Sequence, residues 1–126
     1  MLREIEEFNI QELEVPILDG IAHSYHHLGR VLLKQGQLDE AQRLLEVSLA
    51  TAQGLGLSVF EAIARHYLSE LHEVRGNYQR ALELANEALE MYEHLGMKKE
   101  LQEVYELVGR LERAVAEQGS TPDEEN

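Results

Sequence analysis

The chain has no cysteine, no tryptophan and only two prolines in its 126 residues. Without cysteine there is no disulfide framework, no thiolate metal site and no cysteine nucleophile. So few prolines leave long stretches free to run as helix. Basic residues are scarce too: 11 Lys and Arg stand against 24 Asp and Glu, a net charge of −13. A chain that acidic repels phosphate backbones and anionic lipid, so neither nucleic acid nor a membrane is expected as a partner. No apolar run approaches the roughly 20 residues of a membrane span. The opening MLREIEEFNI lacks the unbroken apolar stretch of a secretory leader. These absences fit a cytoplasmic protein.

What the chain does contain is Leu, Ala, Glu and Gln, all good helix formers. Hydrophobic residues make up 44%. At this length one domain is expected, burying roughly two-thirds of the surface its unfolded chain exposes. The expected fold class is all-α.

The sequence also repeats. Displaced by 40 positions, Gly36 falls on Gly76 and Gly56 on Gly96. Ala22 falls on Ala62, Ala41 on Ala81 and His26 on His66. Leu28, Leu44, Leu49 and Leu55 fall on Leu68, Leu84, Leu89 and Leu95. Each unit reads as two helices broken by a glycine able to take the left-handed conformation that closes a last turn. The expected spans are about Ile21 to Gln35 and Leu38 to Gln53, then Val59 to Arg75 and Tyr78 to His94. In both second helices the apolar and small residues form a stripe at three- and four-residue steps. Ser58 and Glu61 are spaced as a capping box, and Asp19 is placed to cap the first helix. A closing helix is expected over 98–117, then a disordered acidic tail over 118–126.

Units of this kind resemble the tetratricopeptide repeat family, a helix–turn–helix of 34 residues with the pattern W-x2-L-G-x2-Y, a turn glycine, then A-x3-F-x2-A. Unit one offers Tyr25, Leu28, Gly29, Leu32, Gly36, Leu38, Ala41, Leu45 and Ser48. Unit two offers Leu68, Ser69, Gly76, Tyr78, Ala81, Ala85 and Ala88. Arg65 stands at the tryptophan place, His72 at the tyrosine place, and no proline ends either unit. The resemblance implies an α-solenoid of antiparallel helix pairs in a right-handed superhelix, with units at 21–56 and 61–96 inside a domain spanning 20–117. The longer spacing is similar to that in bacterial regulators such as the sensor domains of large transcription activators and phosphatase-type peptide receptors.

The resemblance also implies that the first helices line a concave groove. Carried onto this chain, unit one contributes His23, His26, Arg30 and Lys34. Unit two contributes His66, Glu70 and Glu73, and the closing helix Glu103, Glu106, Arg110 and Arg113. Such a groove has a basic end, a histidine pair, an acidic middle and two further arginines. It suits an extended peptide held by bidentate arginine contacts and carboxylates. Paired instead with one another, as Glu70 with Arg110 or Glu106 with Arg110, these charges would contribute only a few tenths of a kcal/mol. The family's clamp for C-terminal carboxylates uses Lys and Asn where this chain has His26 and Arg30, then His66 and Glu70, so a chaperone-tail adaptor is not implied.

His23, His26 and His27 are spaced i, i+3, i+4, which could hold a metal on a helix face. However, His27 is expected to turn toward the helix interior, and no carboxylate is fixed beside the cluster, so no metal or cofactor is expected. No activated Ser or Lys stands beside a base, and no catalytic residue is expected. At the N-terminus, Leu2, Ile5 and Phe8 fall at helical steps, with VPILDG breaking the helix before residue 20. Residues 1–19 then form a cap or a segment that swaps onto another copy.

The leading functional reading is a non-catalytic adaptor or scaffold that binds a protein or peptide. One alternative is a structural element forming a homo-oligomer through repeat ends or the N-terminal helix. Another is the sensor domain of a bacterial signalling or transcription regulator.

Overall fold

A computed structural model describes residues 14–119, with side chains from position 23 onward. It contains helices α1 (Glu14–Lys34), α2 (Leu38–Leu55), α3 (Ser58–Val74), α4 (Tyr78–Leu95) and α5 (Lys98–Gly119), and no strand among the described residues. The expected helix over 1–13 and the tail beyond 119 lie outside the described residues, whereas Asp19, expected to cap the first helix, lies inside α1 and not at its start.

Two boundaries differ from expectation. First, α1 starts at Glu14, not near Ile21, and runs through VPILDG. Pro16 falls in the first turn, where an amide has no carbonyl four residues back to bond, so its missing N–H costs nothing. Second, Ser58 is the first helical residue of α3, not the residue before it. The first carbonyl of that helix to accept is Leu57 O, from Glu61 N at 2.9 Å.

The turns share one geometry. Four glycines among the described residues, Gly36, Gly56, Gly76 and Gly96, have φ between 68° and 82°. After α1, Gln37 N donates to Leu32 O at 2.9 Å and Gly36 N to Leu33 O at 3.0 Å. After α3, Asn77 N and Gly76 N donate to His72 O and Glu73 O at 2.8 and 3.0 Å. This is the paired closure in which a left-handed residue lets two amides satisfy the last carbonyls of a helix.

By its contacts the chain divides into two compact units, Met1–Glu61 and Ala62–Asn126, with the boundary in the first turn of α3. In unit one α1 packs along α2. In unit two α5 packs along α4, while α3 runs antiparallel to α4, pairing Arg65 with Glu87, His66 with Tyr92 and Ser69 with Ala81. The repeat shows in what is buried: α2 buries Ala41, Leu44, Leu45, Ser48 and Ala52, and α4 buries Ala81, Leu84, Ala85, Ala88 and Tyr92. These are the same five positions, 40 apart. In unit two Ala81, Ala85, Ala88 and Tyr92 of that stripe join Ala62 of α3 and Val104, Leu107, Val108 and Leu111 of α5 in one core cluster.

Where α1 crosses α2, Gly29 lies so close that a Cβ there would sit 2.7 Å from Leu45 Cγ. The equivalent pair in unit two is Ser69 and Ala85. There the partner is smaller and a hydroxyl fits, donating from Ser69 Oγ to Ala81 O at 2.7 Å.

Candidate functional site

In unit one, α1 carries the expected groove residues. His23 and Lys34 are exposed, Arg30 is half-buried and His26 is buried at 2% exposure. The phenyl ring of Phe60 lies 5.5 Å, centroid to centroid, from both His23 and His26. Burial, then the nearby His27 and His23, lower the His26 pKa from 6.5 to about 4. Its ring is therefore neutral at neutral pH. His27, expected to face the helix interior, is exposed. On this helix the inward direction belongs to His26, Gly29 and Leu33, the residues at three- and four-residue steps that are buried.

In unit two, His66 is 3% exposed. Expected as an open groove ligand, it is instead part of the packing between α3 and α4. Its Nδ1 lies 3.1 Å from the Tyr92 hydroxyl, and its Nε2 lies 3.7 Å from Glu70 Oε2. The second distance is too long for a hydrogen bond. If the phenol donates to Nδ1, the imidazole proton sits on Nε2, toward the Glu70 carboxylate. Tyr92 itself is fully buried. Burial first, then Tyr67, Glu100, Glu103 and Glu70, raise its pKa above the ordinary 10.0. The charges of these carboxylates, like burial, disfavour the phenolate.

The arginine pairing also differs from expectation. Arg110 closes on Glu73, not on Glu70 or Glu106: Nε donates to Oε2 at 2.6 Å and Nη2 to Oε1 at 3.0 Å. This two-point contact ties α5 to α3, and the hydrogen bond raises the guanidinium pKa further. Glu103, Glu106 and Arg113 are exposed on α5. Sequence reading overlooked Tyr92 and Glu100. The signal for Tyr92 was an aromatic at the position where unit one has Ala52, on the apolar stripe.

Helix pairs of this length, closed by one glycine turn and burying the same stripe twice, are the architecture that the sequence resemblance implied. A comparison with protein-family models matches the tetratricopeptide repeat over residues 20–94. The chain belongs to the tetratricopeptide repeat family. Comparisons with curated proteins and with solved structures returned no match. Tetratricopeptide repeats generally mediate protein–protein interaction and are typically not catalytic. No helix among the described residues is long and apolar enough to cross a membrane.

Proposed function

We propose that this tetratricopeptide repeat protein is a non-catalytic adaptor or scaffold, and that the acidic face of unit two takes a cationic segment of a partner protein or peptide. The observation that supports this reading is the exposed carboxylate of Glu103 on α5, on the helix that Arg110 ties to Glu73 of α3. Glu106 adds an exposed carboxylate on the same helix as Glu103. Arg110 is already occupied by Glu73, so its fork orders the face. Arg113, and on unit one Lys34, are the exposed cations offered to carboxylates of the partner.

The test is a fluorescence anisotropy titration with lysine- and arginine-rich peptides beside glutamate-rich ones of equal length. Cationic peptides should bind, more weakly as salt rises, and lose binding to a Glu103→Lys/Glu106→Lys variant of unchanged helicity. Equal binding of both peptide classes, or binding indifferent to the variant, would reject the charge-led reading.

A second reading, self-association, draws on Leu28 and Val31, which stand 48% and 49% exposed one turn apart on α1. Light scattering on a Leu28→Glu variant tests it. A dimer in the wild type that the variant abolishes supports that reading, and a wild-type monomer removes it.

A further inference from the structure

Three imidazoles meet on one stretch of α1. The ring centroids of His23, His26 and His27 are 5.0, 4.4 and 4.6 Å apart. One ring nitrogen from each can be chosen so that all three lie within 4.8 Å of one another.

The repeat provides an internal comparison. At the equivalent places unit two has Ile63, His66 and Tyr67. There the buried histidine is a packing element, bonded to Tyr92. Unit one keeps the buried histidine, places Ala52 where the phenol would stand, and adds two more imidazoles. Both added residues are exposed, and burial, which explains His26, does not explain them.

We propose that His23, His26 and His27 form a binding site for a divalent transition-metal ion of the zinc type.

Imidazole nitrogen is the donor that zinc, copper and nickel favour, whereas magnesium and calcium require oxygen. Zinc–nitrogen bonds of about 2.0–2.1 Å set tetrahedral donors about 3.4 Å apart. The nitrogens start within 4.8 Å of one another, so binding requires the exposed His23 and His27 rings to rotate toward the buried His26. Three nitrogens leave the fourth position open to water or to a donor from another molecule. The net charge of −13 draws cations to the protein without choosing among them. The choice is made by the donor set. This site is separate from the acidic face of unit two and stands or falls independently of it.

The test is calorimetric titration of Zn2+ into the full chain near neutral pH, with a large excess of Mg2+ present to occupy surface carboxylates. One ion per chain is expected. Affinity should fall more than about tenfold in His23→Ala or His27→Ala and vanish in the double variant. It should persist in His94→Ala, which removes an exposed histidine elsewhere. The altered residues are exposed, and helicity by circular dichroism checks each variant. Cobalt(II) substituted at the site should show the visible absorption of a nitrogen-rich, low-coordinate centre. Absence of saturable binding, or binding that survives the double variant, overturns the proposal.

Discussion

Tyr92 and His66 form a buried polar pair in the seam between α3 and α4, and each depends on the other. Tyr92→Phe keeps the ring and deletes the hydroxyl, leaving a buried imidazole nitrogen without its phenol. We expect a loss of about 1–2 kcal/mol, read as a lower urea midpoint followed by helical circular dichroism. The pair also sets a pH response. The phenol pKa is raised in the fold by burial, then by Tyr67, Glu100, Glu103 and Glu70, with His66 as its hydrogen-bond partner. A folded pKa above the unfolded one means a contribution that is whole below about pH 10 and lost as pH climbs past it. Between about pH 9 and about pH 11 the wild type should therefore lose more stability than Tyr92→Phe. Equal losses would assign the alkaline weakness to other groups. This pair was poorly legible in the sequence. His26 and His66 coincide in the 40-residue register, as the turn glycines and the buried Leu44 and Leu84 do. Such coincidence marks positions that the packing requires, whatever ligand they also serve.

Between elements, the crossing of α1 and α2 rests on a vacancy at Gly29. Gly29→Ala drives a methyl into Leu45 and should cost about 1–3 kcal/mol, after allowing for the better helix propensity of alanine. Leu45→Ala alone leaves a cavity and should cost about 2–5 kcal/mol. The pairing Ser69 with Ala85 shows how the double change is tolerated. Gly29→Ser combined with Leu45→Ala should be less destabilised than the sum of its parts by about 0.5–3 kcal/mol. A strictly additive result would show that the two helices relax apart. The spans of α2 and α4 were legible because a stripe of fixed period leaves little freedom. The compensating exchange was not, because neither Gly29 with Ser69 nor Leu45 with Ala85 is an identity. The start of α1 was misread because a proline breaks a helix interior but not its first turn.

For the molecule as a whole, charge is the dominant non-packing term. At −13 the native chain repels itself. Raising sodium chloride from about 0.05 to about 0.5 M should raise the thermal midpoint by screening that repulsion. A falling midpoint would mean that ion pairs outweigh it. Arg110→Lys isolates one such pair: it keeps the charge and loses the fork, so about 0.5–1 kcal/mol should go, most visibly at low salt. The architecture could be read from the sequence because buried positions obey geometry. Most of the roles of the exposed residues could not, because an exposed glutamate is compatible with solvent, with an arginine on the next helix, or with a ligand. Arg110 chose Glu73 over two candidates that the spacing allowed equally.

The left-handed glycines at 36, 56, 76 and 96 stand 20 residues apart, each closing a helix with the same pair of amide bonds. Such a chain keeps time. A residue inserted within a helix cannot be absorbed at so short a turn, and it rotates everything downstream by about 100° before the next glycine arrives. The stripe that should meet its neighbour would then face water. Length in this protein can therefore change smoothly only in whole beats, by gain or loss of an entire helix with its glycine. Slips of one or two residues are the changes the fold is least able to survive.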